Sequence, residues 1–250
     1  MARTKDARHS GFGLGIQLLE HLVDAPAPQG VSQVARELGL AVSTTHDTLH
    51  LLMELGMVEM REATKTYQVT PHLLDFASHI ARHFTINARV QQAMLEFSHE
   101  EGLSACICIL DGHESRIAFA SGPLGSTVVL GAYGPVYATS AGKVMVASLP
   151  EADWEVFLPP PDAVPRTPKT NTDPSVFRKE LKGARVKGVA WNRQESEGNI
   201  VSVAAPVPGR NGEARHAVAI MFDADDMQYV SATRMEEKVR ELAARLSALM

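Results

Sequence analysis

Residues 31–55 read VSQVARELGLAVSTTHDTLHLLMEL, and this stretch decides the fold of the N-terminal part of the chain. Apolar residues repeat at helical spacing over Val31–Leu38 and again over Ala41–Leu55, and a glycine follows each run. Ser43 is the expected N-cap of the second helix. Two helices joined by a short turn that contains glycine predict a helix-turn-helix.

Short elements flank these two helices on both sides. A preceding helix is predicted over Gly13–Val23, and two β-like runs, Met57–Met60 and Thr66–Val69, predict a hairpin. A hairpin directly after the second helix of such a pair forms a wing. Helical stripes return between residues 71 and 102, which predicts linker helices that lead into a second domain.

The remainder of the chain mixes strands and helices, and several consecutive strands with few crossovers predict an antiparallel α+β sandwich. A hairpin turn is expected at Gly209–Gly212. The expected helices are Ser140–Leu149, Glu151–Phe157, Pro174–Ala184 and Ser231–Met250. The expected strands are Ala105–Leu110, Arg116–Ala120, Ser126–Leu130, Val186–Asn192, Ile200–Val207 and His216–Phe222. We therefore divide the chain into a winged helix-turn-helix domain (1–75), linker helices (76–101) and an α+β domain (102–250).

The composition is that of a folded protein without a membrane span. Of 250 residues, 45% are hydrophobic and 21% are charged, which is ordinary globular usage. Since no apolar run approaches the roughly 18 residues of a span and the first ten residues are polar, we expect a cytoplasmic protein. Cys106 and Cys108 lie two apart on a predicted strand, so they point to one face and are poor candidates for a disulfide.

The charge distribution argues against a dedicated nucleic-acid binder. Residues 1–80 carry six Lys/Arg against nine Asp/Glu, a net charge of −3, and the whole chain carries −5. DNA-binding proteins usually present a cationic surface, because neutralising phosphates supplies most of the affinity.

The helix that opens near Ser43 nevertheless has a face suited to a DNA groove. Its inner side carries Thr45, Leu49 and Leu52. Short polar side chains and a helix N-terminus can donate to phosphates and base edges. The alternative is the solvated face of an ordinary three-helix domain. The outer side carries Ser43, Thr44, His46, Asp47 and His50.

Catalytic and metal-binding patterns are weak. The histidine pairs His46/His50 and His79/His83 have chelating spacing, but no third ligand follows at the spacing of a zinc site. Residues 140–143 (SAGK) resemble the end of a phosphate-binding loop without its first glycine, and are better explained as backbone amides that hold a small anion. We therefore predict no enzyme, no metal and no cofactor.

Four stretches in order and at the right spacing carry a resemblance to a known family. The chain resembles the IclR family of bacterial transcriptional regulators over essentially its whole length. The resemblance implies a winged helix-turn-helix, a linker helix and a GAF-like effector-binding domain. The four stretches are residues 34–46 (VARELGL followed by STTH), Leu49 to Val58, residues 137–146 (YATSAGKVMV), and Asn192 through Glu195 to residues 203–207 (VAAPV).

The resemblance also implies partners and candidate site residues. It implies a regulator, in our prediction a repressor with an activator as the alternative, that binds double-stranded promoter DNA as a homodimer or homotetramer under the control of a small carboxylate. The candidate DNA contacts are Arg36, Ser43, Thr44, Thr45, His46, Asp47, His50, Arg61 and Lys65, with Arg3, Lys5 and Arg8 as further phosphate contacts. The candidate effector contacts are Ser140, Ala141, Gly142, Asn192, Ile200, Ser202, Ala219 and Met221.

Departures from the family pattern refine these expectations. Ala219 and Met221 stand where many relatives carry serines, so the pocket should favour an aromatic or medium-chain carboxylate over a two- or three-carbon acid. Asp47 stands where an arginine is common; its charge repels phosphate and favours a cytosine amino group. The first alternative function is a small-molecule sensor that has lost DNA affinity and acts through protein partners. The second is an enzyme that uses Glu195 or Glu197.

Overall fold

The structure, a computed structural model, describes residues 11–75, 77, 86–126, 130–209 and 214–250, and the chain divides into two compact units, Met1–Phe84 and Thr85–Met250. Several predicted features lie outside the described residues: the phosphate candidates Arg3, Lys5 and Arg8, the pair His79/His83, and most of the turn Gly209–Gly212. Within the described ranges, no helix combines the length and the apolar character that crossing a membrane requires.

The first unit is a three-helix domain with a small antiparallel sheet in the order β1-β3-β2. Leucines of the first helix pack against Val34, Leu49 and Tyr67, so one core joins all three helices to the sheet. The elements are α1 (Gly11–Asp24), β1 (Gln29–Gly30), α2 (Val31–Leu38), α3 (Val42–Glu54), β2 (Val58–Arg61) and β3 (Thr66–Val69). The predicted helix-turn-helix and its hairpin are confirmed.

Two details of this unit differ from the sequence prediction. Ser43 is not the N-cap of α3: the helix begins at Val42, and the capping residue Ala41 makes no side-chain hydrogen bond. Ser43 therefore lies in the first turn, where its side chain is exposed. Strand β1 was not predicted, because two residues give no alternation to detect, yet Gln29 pairs with Tyr67 and adds a third strand to the wing.

The second unit is built on one antiparallel six-stranded sheet in the order β6-β5-β4-β9-β8-β7. Its strands are β4 (Ser104–Asp111), β5 (Glu114–Ser121), β6 (Tyr133–Pro135), β7 (Ala190–Arg193), β8 (Ile200–Val207) and β9 (His216–Asp223). Its helices are α4 (Ala88–Glu101), α5 (Ser140–Ser148), α6 (Pro174–Lys187) and α7 (Ala232–Ser247), with 3-10 turns at Pro123–Ser126, Val136–Ala138, Glu151–Phe157 and Ala224–Tyr229.

Alternation along the strands gives the sheet two buried faces. Ile107, Val203 and Ile220 point toward α4 and α7, whereas Cys106, Ala204 and Ala219 point toward α5 and α6. The predicted α+β sandwich is confirmed, with helices on both faces of an antiparallel sheet. The face toward α5 carries small residues, which leaves room between sheet and helix.

In this unit one strand prediction is corrected, one lies mostly outside the described residues, and one strand was missed. Residues 186–187 complete α6, and β7 starts only at Ala190, because Gly188 adopts a left-handed φ of 67° and ends the helix. Of the expected strand Ser126–Leu130, residues 127–129 lie outside the described part of the chain, and Ser126 ends a 3-10 turn. Strand β6 was missed because its three residues include a glycine and a proline, although they pair with β5.

Two glycines provide a matched test of packing around α5. A Cβ at Gly142 would lie 2.5 Å from the Val136 Cα, whereas a Cβ at Gly183, inside α6, meets nothing within 4 Å. We expect Gly142→Ala to lower the free energy of unfolding by about 1–3 kcal/mol. Gly183→Ala should raise it by about 0.5–1 kcal/mol, because alanine loses less entropy in a helix.

Urea unfolding followed by tryptophan fluorescence measures both effects, since both tryptophans of the chain, Trp154 and Trp191, lie in the second unit. Equal effects of the two alanine substitutions would contradict the close approach of α5 to Val136.

Candidate functional site

The outer face of α3 is the candidate interface of the first unit. Its five exposed candidates all lie in the N-terminal half of the helix except His50; they are Ser43, Thr44, His46, Asp47 and His50. The N-terminal amides of a helix favour an anion such as phosphate. This face combines hydroxyl and imidazole donors with one carboxylate acceptor.

Thr45 does not belong to this face. Its side chain is fully buried, and its hydroxyl donates to the backbone oxygen of Ala41 at 3.0 Å. Positions 45, 49 and 52 share the helical face that packs on the core, so the prediction of Thr45 as a DNA contact is wrong.

The electrostatics of this unit are mixed. Arg36 and Arg61 are exposed, whereas Lys65 is exposed but forms an ion pair with Glu62. His46 Nδ1 lies 3.5 Å from a carboxylate oxygen of Asp47, and His50 Nδ1 lies 3.4 Å from one of Glu54. Among the phosphate candidates that the structure describes, Lys65 is therefore the one held by a neighbouring carboxylate.

The candidate ligand site of the second unit is a cavity of about 350 Å³ between the sheet and the N-terminus of α5. It is lined by seven of the eight residues predicted to contact an effector, which come from three separate parts of the chain. These are Ser140, Ala141, Asn192, Ile200, Ser202, Ala219 and Met221. Its volume lies near the lower end of the range for small-molecule sites.

Gly142 is the predicted effector contact that does not line the cavity. Its amide donates to Thr139 Oγ1 at 3.1 Å, so the side-chain cap of α5 already occupies the donor that was expected to hold an anion. The glycine instead allows α5 to approach Val136. The amides of Ser140 and Ala141 remain as the first-turn donors whose residues line the cavity.

Hydrogen bonds hold the polar wall of the cavity in place. The hydroxyls of Ser140 and Ser202 lie 2.7 Å apart and join α5 to β8. Asn192 Oδ1 accepts from the amide of Glu195 at 2.7 Å, and its Nδ2 donates to Ser196 Oγ at 2.7 Å. Asn192 therefore shapes the loop after β7 as well as lining the cavity.

Behind this wall, the ammonium of Lys143 is buried with two carboxylates. Its side chain, in a residue only 2% exposed, lies 2.5 Å from Glu195 and 3.1 Å from Glu180, and it donates to the backbone oxygen of Trp191 at 3.3 Å. Burial raises the pKa of the Glu180 carboxyl, an effect that Lys143 opposes. Glu195 thus serves as a counter-ion of Lys143.

Arg166 is a charged cavity residue that the sequence prediction missed. Its Nε donates to the backbone oxygen of Ser196 at 3.2 Å, and among the described lining residues it is the one cation, with Glu197 as the one anion. It lies in the proline-rich loop between residues 159 and 174, where no periodic pattern marks it. Its contacts are 30 or more residues away in sequence.

The described residues contain no group of three or more His, Cys, Asp or Glu side chains able to hold a metal ion. His46 and His50 lie on the exposed face of α3 with ring centroids 6.4 Å apart, and the cysteines of β4 lie in the cavity wall. Neither pair is completed by a third such ligand among these residues.

Both units match known proteins. The family model described as "Bacterial transcriptional regulator IclR C-terminal" matches residues 78–248, and the one described as "IclR helix-turn-helix domain" matches residues 15–62. The glycerol operon regulatory protein of Streptomyces griseus is 28% identical over 225 residues, or 87% of this chain and 87% of that protein.

Solved structures match along nearly the whole chain. The IclR of Thermotoga maritima is 25% identical with a TM-score of 0.71, and the match covers 94% of this chain and 98% of that one. An IclR homologue from Microbacterium hydrocarbonoxydans, complexed with 4-hydroxybenzoate, is 21% identical with a TM-score of 0.75, covering 96% and 98%. At 21% identity, the Microbacterium structure shows similarity of fold alone.

The buried ammonium gives a stability prediction. Lys143→Met should lower the free energy of unfolding of the second unit by about 3–5 kcal/mol, because Glu195 is left charged in a buried site. Adding Glu195→Gln to Lys143→Met should restore part of that loss, since the uncompensated charge disappears. Urea unfolding measures both variants. A single variant as stable as the parent chain, or a double variant less stable than the single one, would contradict this role.

Proposed function

The chain belongs to the IclR family of bacterial transcriptional regulators, with a helix-turn-helix DNA-binding domain and a C-terminal effector domain, and we propose that a small carboxylate in the cavity controls its hold on promoter DNA. The observation that carries the proposal is the cavity itself: distant parts of the chain converge there, with a cation, first-turn amides and an apolar floor. Such a site suits a molecule with one anionic end.

The DNA end of the proposal rests on the exposed face of α3. Ser43, Thr44 and His46 supply donors at the helix N-terminus, and Asp47 supplies an acceptor suited to the amino group of cytosine. Arg36 and Arg61 are exposed and suited to phosphates. A homodimer or homotetramer doubles each contact and matches the two half-sites of an operator. We propose that the protein acts in the cytoplasm, as a repressor.

The effector is proposed to be an aromatic carboxylate. Ile117, Leu124 and Met221 give the cavity apolar walls, while Arg166 and the amides of Ser140 and Ala141 can receive a carboxylate. The Microbacterium homologue, which has the same fold, is complexed with 4-hydroxybenzoate and supports this choice. We propose no enzymatic activity, because the family consists of transcriptional regulators and Glu195 is committed to Lys143.

A second candidate function is a sensor that acts through protein partners. It is favoured by Asp47 on the proposed DNA face and by the net charge of −5. The two candidates differ in one measurement, which is retardation of the DNA upstream of the protein's own coding region.

Gel retardation of that DNA tests the α3 face. Thr44→Glu should abolish the specific complex, because a carboxylate replaces a donor beside phosphates. Asp47→Asn should tighten binding and weaken its preference for the upstream sequence over unrelated DNA. The matched control Glu20→Gln removes one negative charge from an exposed position on α1 and should leave that preference unchanged.

The gels are run at low and at moderate salt. No retardation of the parent chain under either condition favours the sensor. A parent-like gel from Thr44→Glu would contradict the assignment of this face.

Thermal stability tests the cavity. Benzoates should raise the melting temperature of the full chain more than two- or three-carbon keto acids do. Arg166→Gln should weaken benzoate binding about 10- to 100-fold, as loss of a charge-assisted hydrogen bond predicts. Arg178→Gln is the control, because Arg178 is paired with Glu155 and does not line the cavity.

Stabilisation by the keto acids alone would contradict an aromatic effector. Equal benzoate affinity in the two glutamine variants would remove Arg166 from the site.

A further inference from the structure

Two thiols face the cavity side by side. Cys106 and Cys108 lie on the same face of β4, their sulfurs are 3.8 Å apart, and both are free cysteines that line the cavity. They are only 3% and 4% exposed, and they are the two cysteines of the chain. The proposed control by a carboxylate does not use either of them.

The residues paired with the two cysteines form the surroundings of their sulfurs on the sheet. Cys106 is paired with Ala120 on β5 and with Ala219 on β9, and Cys108 is paired with Ile117 on β5 and with Ala217 on β9. Paired residues on adjacent strands share a face, so alanines flank Cys106 on both sides, and Cys108 lies between an alanine and Ile117, which also lines the cavity. The register shift between β4 and β5 places its extra residue on β5, so β4 keeps its alternation. The two thiols therefore lie side by side on one face of β4, in the wall of the cavity.

The pair is poorly placed to form a disulfide. Residues two apart on an extended strand have Cα atoms about 6.6–6.8 Å apart, at the upper limit for a disulfide, and the sulfurs would have to close to about 2.05 Å. A four-coordinate zinc ion is also disfavoured, because the described residues offer no third His, Cys, Asp or Glu to the group. The sulfur pair suits a single atom that bonds to both sulfurs and already carries one further substituent.

Geometry defines that atom further. With bonds of about 2.3 Å to each sulfur, as thiolates make to metals of similar size, a 3.8 Å separation gives an S–atom–S angle of about 110°. A three-coordinate pyramidal centre with one organic substituent accepts such an angle. A neutral product is also required, because a buried charge without a partner is costly.

We infer that Cys106 and Cys108 form a dithiol site for arsenic(III) compounds that carry one organic group, with that group lying in the cavity. In the reaction, two As–S bonds form and two As–OH bonds break. Each thiol proton leaves with one hydroxyl as water, so two water molecules are released and no oxidation state changes. An aryl substituent matches the apolar walls formed by Ile117, Leu124 and Met221.

The protonation of the pair suits a stepwise reaction. The hydrogen bond from Cys106 lowers the pKa of Cys108, with a further contribution from Ser115, against the opposite effect of burial. The same contact and burial raise the pKa of Cys106. Cys108 is therefore the more acidic of the two thiols and the one expected to bond to arsenic first, and the second bond forms within the complex at high effective concentration.

The test uses phenylarsine oxide, which hydrates to phenylarsonous acid, on the full native chain. Intact-mass spectrometry should show one C6H5As group in place of two hydrogens. This adduct should survive a roughly millimolar excess of glutathione, a monothiol, because the chelate recloses faster than a monothiol captures it. A small dithiol should remove it.

Cys106→Ser and Cys108→Ser are the matched variants. Each keeps one thiol, so glutathione should strip the arsenical from both of them completely. Circular dichroism and the melting temperature without arsenical identify any variant that fails to fold, and Cys106→Ala and Cys108→Ala then replace it.

The melting temperature of the native parent chain should also rise with phenylarsine oxide, since the chelate closes in the folded cavity. The inference is overturned by any of three results: no adduct on the native chain, an adduct that forms only in urea, or an adduct that glutathione removes from the parent. None of these results depends on whether the chain binds DNA or a carboxylate.

Discussion

The burial of one ammonium group, that of Lys143, constrains the whole effector unit. A buried ammonium group is stable only when groups of opposite charge or hydrogen-bond acceptors lie next to it. Lys143 is 2% exposed, and its neighbours are Glu195, Glu180 and the backbone oxygen of Trp191. These partners come from α6, from β7 and from the loop that follows. The lysine therefore fixes the start of α5 against the sheet and against that loop, and the space left between them is the cavity.

The same arrangement explains why the cavity has two kinds of wall. The loop after β7 is held by the Asn192 amide and by Glu195, and it presents polar groups together with Arg166. The opposite wall is the sheet, where alanines and the two cysteines give an apolar surface with reactive sulfur in it. A ligand with an anionic end and an apolar body matches this division, and a soft electrophile matches the sulfur pair.

Local patterns predicted the helix-turn-helix and its hairpin, since helical spacing and turn glycines lie within a few residues of the contacts they specify. Seven of the residues that line the cavity were anticipated through the resemblance of short motifs. Two predicted contacts were wrong for local reasons. The amide of Gly142 donates to the side-chain cap of α5 and not to a ligand, and Thr45 lies on the buried face of α3, where its hydroxyl donates to the helix backbone. Arg166 and the partners of Lys143 could not be found, because their contacts join residues 30 to 52 positions apart with no periodicity to mark them.

The central claim is that a ligand bound in the cavity changes the affinity of the protein for DNA. It is tested most directly by measuring the dissociation constant for the upstream DNA with and without saturating benzoate, in the same buffer. The account predicts a change of about 5- to 150-fold, the usual range of allosteric coupling, and no change for a variant that no longer binds benzoate. Benzoate that demonstrably binds the chain and leaves the DNA dissociation constant unaltered would contradict it.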